Sequence, residues 1–264
     1  MRLRFLPIAA FLGFVFLYGP ILSLVIFSFN ESKLVTVWGG FSTKWYVELF
    51  QNQQIMDAAW LSLKIAALSA TVATVLGTMI SMVLTRFGRV RGRAIMTGMI
   101  TAPLVVPEVI TGLSLLLLFV TMERLIGWPA GRGITTILIA HITFSMAFVA
   151  VVVQSRLSDM DNSIEEAALD LGASPLRVFF DITLPMIAPA LIAGWLLAFT
   201  LSLDDLVIAS FVSGPGSSTL PIVIFSKVRL GVSPDINALA SLIILVVSLG
   251  IIAAAILMRK GTRK

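Results

Sequence analysis

Apolar residues fall in six long runs along the chain, at about 7–29, 58–85, 95–122, 134–154, 186–212 and 236–258. A helix that crosses about 30 Å of hydrocarbon needs roughly 20 mostly apolar residues, and each run meets that length. The pattern therefore predicts an all-α integral membrane protein with six transmembrane helices. It divides the chain into an N-terminal span and external loop (1–57), a transmembrane domain (58–258) and a basic cytoplasmic tail (259–264). Arg2 and Arg4 precede the first run as they would in a secretion signal. The run is longer than a signal's core and lacks a small-residue cleavage site, so the reading is a retained signal anchor.

Composition supports the membrane reading and removes several chemistries. Of 264 residues, 58% are hydrophobic and 12% charged, against about 25% charged in a soluble domain. The mean hydropathy is +1.01. There is no cysteine and one histidine, His141, which removes thiolate chemistry and His-cluster metal sites. No Gly-Lys pair occurs, so the phosphate-cradling loop that ends in GK[ST] is absent and any ATP hydrolysis belongs to another subunit.

The net charge of +5 does not form a basic face that would bind nucleic acid; it lies in short clusters between the apolar runs. With the N-terminus inside, twelve Lys and Arg fall on the cytoplasmic side and six on the outer side. That bias predicts both termini in the cytoplasm.

The connections differ in content. The external segment 30–57 mixes Trp38, Trp45 and Tyr46 with polar residues, as a short interfacial helix or docking surface would. The cytoplasmic segment 155–185 reads as two helices with a glycine elbow. Ser163, Ile164, Glu165 and Glu166 fit a capping box, Gly172 stands where a helix stops, and Ser174-Pro175 restarts one. On periodicity alone this is an amphipathic connector resting on lipid headgroups.

The spacing changes that reading. Glu166-Ala167-Ala168, three residues, Gly172, nine residues, then Ile182-x-Leu184-Pro185 resembles the EAA-x3-G-x9-I-x-LP signature of ABC importer permeases. The resemblance covers roughly 58–258 and implies a type I ABC importer permease fold. Its coupling helix would lie between spans four and five and dock on the ATPase subunit. Carried over, Glu166, Ala167, Ala168, Gly172 and Pro185 form that contact, with small alanines allowing close approach and Gly172 setting the elbow.

Three acids fall within the runs: Glu108, Asp204 and Asp205. An ionisable group in hydrocarbon is costly and marks a pathway or a wet cavity. At 1.5 Å per residue, Glu108 lies roughly 20 Å and Asp204 roughly 27 Å from the cytoplasmic starts of their spans, in the outer half of the bilayer. Pro103 and Pro107 on span three repeat the i, i+4 spacing of Pro185 and Pro189 on span five, and prolines free carbonyls that can line a cavity or simply kink the helix. Trp195, Phe199, Ser202 and Leu206 share a helical face with Asp205 to one side, while Asp204 points about 100° away.

An aromatic beside carboxylates suits an organic cation. Trp195, Asp204, Asp205 and Glu108 are thus the candidate substrate path. Lys64 could instead pair with one of the acids, the two aspartates could end a helix at the interface, and His141 reads as a packed polar residue with no assigned role.

A closer resemblance rests on Leu203–Ala209 (LDDLVIA), the 211–216 turn (FVSGPG), Thr219-Leu220-Pro221, GVSPDINA at 231–238 and SKLVTVW at 32–38. These are similar to the polyamine branch, and within it to the second permease subunit of putrescine importers. The resemblance implies a multi-pass protein of the bacterial inner membrane that carries a diamine inward. Its partners would be a homologous second permease, two ATPase subunits and an extracytoplasmic polyamine-binding protein. No cofactor is expected in this chain; ATP and Mg would be used by the ATPase. A spermidine or broader polyamine importer is the nearest alternative. An ion-coupled secondary transporter has no reason to carry the EAA pattern, and an intramembrane enzyme would need a nucleophile and base that this sequence does not supply.

Overall fold

A computed structural model describes residues 2–34, 37–87, 91–231 and 234–261, with side chains for 7–34, 37–87, 91–231 and 234–249. Arg89, residues 35–36 and 232–233 of the resembling segments, and Arg263 and Lys264 of the tail lie outside the described residues. The chain packs as two units, 58–222 and a second made of 1–57 with 223–264.

In the first unit a single helix is the hub. Helix α6 (Ile134–Ser158) is the most buried of the long apolar helices, because its small residues let neighbours come close on several sides. It is flanked by α3 (Gln53–Arg86), α4 (Arg93–Val105), α5 (Glu108–Ile126), α9 (Leu184–Asp204) and the short α10 (Val207–Val212). Near its middle, Val149 sits against both Gly77 of α3 and Gly194 of α9; a Cβ on either glycine would meet it at 3.0 or 3.2 Å. Bilayer lipid supplies little hydrophobic drive between helices, so close approach over small residues is the means of association. Ala70, Ala73 and Ala198 extend this contact. Ser81 adds an interhelical hydrogen bond, its hydroxyl donating to the Ala150 carbonyl at 2.7 Å. Towards one end of α6, Ile137, Ala140 and Phe144 pack with Ile65, Phe119, Ile208 and Val212. Towards the other, Ala147 and Ala150 pack with Leu84 and Ile100.

The second unit holds α1 (Arg2–Phe27), α2 (Lys44–Gln51), most of α11 (Leu220–Leu230) and α12 (Pro234–Gly261). The helix expected in segment 30–57 is α2. Asn30 organises the turn before it: its side chain donates to the Val37 carbonyl at 2.8 Å and accepts from the Gly39 amide at 2.7 Å, while its carbonyl accepts from the Trp45 indole at 2.6 Å.

Among the described residues, five helices are long and apolar enough to cross a membrane: 7–27, Gln53–Arg86, Glu108–Ile126, Ile134–Ser158 and Pro175–Asp204. The helix α12 is 28 residues long, and its fully described part, Pro234–Leu249, is apolar. Two of the expected spans are not continuous. The run 95–122 is cut between α4 and α5, where Val106 is extended (φ −72°, ψ 130°). Pro107 supplies the reason: it has no N–H to continue the ladder, and its ring forces the preceding residue out of the helical region. The run 186–212 is cut at Asp205, which is extended (φ −65°, ψ 120°) between α9 and α10. Leu206 therefore lies past the break and does not extend the Trp195–Ser202 face.

Candidate functional site

The EAA segment forms helix α7 (Asn162–Asp170), and its cap is not the expected one. Asp161, not Ser163, is the N-cap: its carboxylate accepts from the Ser163 amide at 3.0 Å. An aspartate is the better acceptor at a positive helix end, so the cap lies two residues earlier than a serine box would place it. The Ser163 backbone amide, followed by its hydroxyl, holds the Asp161 carboxyl below the ordinary aspartate range. Glu165 makes contacts of its own away from the cap. One carboxylate oxygen sits 2.8 Å from Nε of Arg86 at the end of α3, and the other accepts from the buried Thr183 hydroxyl at 2.6 Å. The residue just before the EAA triplet thus ties the loop to two other elements of its unit.

Past α7, the Gly172 amide donates to the Leu169 carbonyl at 2.9 Å and the Ala173 amide to the Ala168 carbonyl at 3.1 Å. This paired closure requires a left-handed residue, and Gly172 has φ +87°. Ser174 then caps α8 (Pro175–Val178), accepting from the Arg177 amide at 3.4 Å, with Pro175 in its first turn.

The helix does not stop there. It continues through one wide turn at Phe179–Thr183, where the Leu184 amide donates to Phe179, five residues back, and runs on as α9. Pro185 is the physical cause: its missing N–H would have pointed at Asp181, and a wide turn absorbs the mismatch. Glu166, Ala167 and Pro185 are exposed and Ala168 half-buried. Beside them stand exposed apolar side chains, Leu171 at 89% and Leu176 at 72%. On a solvated loop these are costly unless covered.

The acids at the second break separate into two kinds. Asp205 is turned inward. One oxygen accepts from the Ile208 amide at 3.2 Å, and the other accepts from the Ala209 amide at 2.7 Å and faces Nε2 of His141 at 3.1 Å. The chain of contacts goes on: Nδ1 of His141 lies 2.6 Å from the Ser202 hydroxyl, which accepts from Ser69 at 3.0 Å. Helices α3, α6, α9 and α10 are joined by this buried line, with His141 only 2% exposed. Asp205 therefore starts α10 and stops α9, and its oxygens are occupied.

Asp204, one residue earlier, is exposed. Glu108 is exposed as well, in the first turn of α5 directly after the Pro107 break. Gly112, one turn further on, takes the close approach of α10; a Cβ there would meet Phe211 at 2.7 Å. Trp195 donates its indole N–H to Thr71 at 3.1 Å and stacks on Phe199 at 5.2 Å. Lys64 lies 5.1 Å from the Trp60 ring centre and forms no ion pair with an acid among the described residues.

Sequence reading placed the EAA elements and the three acids but missed Glu165, Arg86, Thr183, Ser69 and Ser202, and gave His141 no role. The available signal was residual: each is a polar group in or beside a run that could not hydrate it, and such groups find one another.

Comparison with known proteins adds to this geometry. Residues 73–261 match the family described as binding-protein-dependent transport system inner membrane component. The putrescine transport system permease protein PotI of Escherichia coli K12 is 67% identical over 233 residues, covering 88% of this chain and 83% of that protein. The spermidine/putrescine transport system permease protein PotC of the same organism is 41% identical over 250 residues, covering 95% and 92%. Among solved structures, a bacterial ABC transporter involved in the import of the acidic polysaccharide alginate superposes with a TM-score of 0.76. At 18% identity, and with 100% of this chain and 96% of that one covered, it shares the fold.

Proposed function

Because the chain belongs to the binding-protein-dependent transport system inner membrane components, and so is a membrane subunit of an ABC importer and not an enzyme, we propose that its cargo is putrescine. The observation that carries this is the 67% identity to a putrescine permease over 88% of the chain. The subunit pairs with a homologous second permease, two ATPase subunits that use ATP and Mg, and an extracytoplasmic polyamine-binding protein. It crosses the bacterial inner membrane six times with both termini in the cytoplasm, in keeping with the bias of basic residues.

In this reading Glu166, Ala167, Ala168, Gly172 and Pro185 present the loop to the ATPase. ATP closes the ATPase dimer, the loop is displaced, and the helices move between outward- and inward-facing arrangements. Asp204, Glu108 and Trp195 line the cation path. Asp205 shapes it by breaking the helix beside Asp204. A diamine carries two ammonium groups, and exposed acids near a fixed aromatic face complement them.

The experiment is ATP-dependent uptake by the reconstituted complex, with putrescine and spermidine in competition. Putrescine uptake that persists without ATP, or that survives neutralising Glu108, Asp204 and Asp205 together in a stably expressed complex, would overturn the mechanism or the path respectively. Preferential spermidine uptake would favour the second reading, which rests on the 41% identity to a spermidine/putrescine permease.

A further inference from the structure

Between the end of α3, the start of α4, the end of α6 and the start of α7 lies a cleft of about 460 Å³. Its polar walls include Arg86, Arg93, Gln154, Ser158, Asp161 and Asn162. Two of these are guanidinium groups, and they differ in state. Arg86 is largely buried, 13% exposed at the side chain, with its Nε 2.8 Å from a Glu165 carboxylate oxygen as an ion pair. Its Nε and Nη2 are both fully covered, and neither has a hydrogen-bond partner. A buried charged donor without an acceptor is rare in a folded protein. Arg93 is exposed and forms no ion pair among the described residues. Gln154, Ser158 and Asn162 add neutral donors on the same walls. The one carboxylate in the lining, Asp161, is engaged by the Ser163 amide as a helix cap.

We propose that this cleft binds a phosphate-bearing anion, and specifically the headgroup phosphate of an acidic phospholipid. Arg93 would take its oxygens in the forked geometry that suits a phosphate, with the covered charge of Arg86 behind the site. Pockets of this kind between transmembrane helices on the cytoplasmic side hold anionic lipid headgroups in general. A lipid source, as against free phosphate, follows from position: in the orientation proposed above, α3 ends and α4 begins at the cytoplasmic interface. The leaflet thus rests on that orientation, while the binding itself does not.

The test uses the whole importer, both permeases and the ATPase subunits, in phosphatidylcholine nanodiscs with a minority of phosphatidylglycerol. Retained phosphatidylglycerol is counted by native mass spectrometry after partial delipidation. Both leaflets are present, so an inverted topology would not abolish retention and is read separately by side-specific labelling of the loops. Expected is a retained phosphatidylglycerol that weakens roughly fivefold in Arg93→Gln and is not displaced by millimolar inorganic phosphate. Asp161→Asn keeps a good helix cap while removing the negative wall, and should strengthen retention by a similar factor; a purely structural role for these residues would not produce that sign. Arg86→Gln should weaken retention too, but it also frees Glu165, so Arg93 and Asp161 decide.

If inorganic phosphate protects the complex in an Arg93-dependent way while no lipid is retained, the phosphate site stands and the lipid source is overturned. If Arg93→Gln loosens the ATPase and leaves lipid retention unchanged, a protein carboxylate covers the cleft and the proposal fails. It fails likewise if no variant changes any binding.

Discussion

Removing the Asp205 carboxylate should expose what the second helix break depends on. In Asp205→Ala, the Ile208 and Ala209 amides lose their acceptor and His141 loses its partner across the bundle. Losing a cap costs about 0.5–2 kcal/mol. An interhelical hydrogen bond in a membrane is worth about 0.6 kcal/mol on average and at most about 1.7, because the unfolded chain in lipid also finds partners. The two together predict a loss of about 1–4 kcal/mol. Asp205→Asn keeps one acceptor for the cap and should lose only the second contribution. His141→Ala should cost about as much as that second part, with an added penalty for the cavity it leaves. The assay is thermal unfolding of the purified complex in nanodiscs, read alongside putrescine uptake, for Asp205→Ala, Asp205→Asn, His141→Ala and the His141→Ala/Asp205→Asn pair. The two single effects should fail to add, because each removes the same contact. Strict additivity, or an Asn variant as damaged as the Ala variant, would refute the reasoning: the first would mean no coupling between α6 and the break, the second that charge and not capping holds it.

Three further outcomes follow from other contacts. Glu165→Ala cuts the loop from both Arg86 and Thr183, and should lower the stimulation of ATP hydrolysis by loaded binding protein while leaving the KM for ATP unchanged; an equal loss of basal hydrolysis would point to misfolding instead. Gly112→Val forces a side chain against Phe211, which a Cβ alone would meet at 2.7 Å, and should cost about 1–3 kcal/mol of overpacking, partly relieved by Phe211→Leu in the same unfolding assay. Asp161 has a carboxyl held below the ordinary aspartate value of 3.8 by the Ser163 amide. The capping contribution is therefore complete above that value and lost as the pH falls through the lower folded value. Hydrogen exchange of the α7 amides, corrected for intrinsic rates, should be flat in protection from neutral pH down to about 5 and should rise only in stronger acid.

Sequence reading reached the helical architecture because hydrophobic length in a bilayer is a direct physical requirement. It reached the glycine elbow because Gly172 must be left-handed, and the helix restart because Ser174-Pro175 has one common use. It misjudged continuity. Counting apolar residues cannot see that Pro107 cuts one run while Pro103, four residues earlier, stays inside α4. Nor can it see that Pro185 is absorbed by a wide turn instead of starting a new helix. The capping error had a similar origin: Asp161 and Ser163 both have short polar side chains, and which one faces the first free amides is decided in three dimensions. His141 and its neighbours were legible only as polar residues without water. Their partners lie 61 and 64 residues away, beyond any local pattern.

The continuity of 175–204 has a mechanical consequence. Thirty residues in one rod make an arm about 45 Å long, with the loop residues at one end and Asp204 at the other. A tilt of about 10° at the loop end would sweep the far tip through about 8 Å if the rod were rigid. No relay of side chains is then needed to carry a push from the elbow to the acids. The wide turn at Phe179–Thr183 and Pro189 in the rod's first half are the two places where that stroke would be lost as bending, so stiffness there sets how much of it arrives.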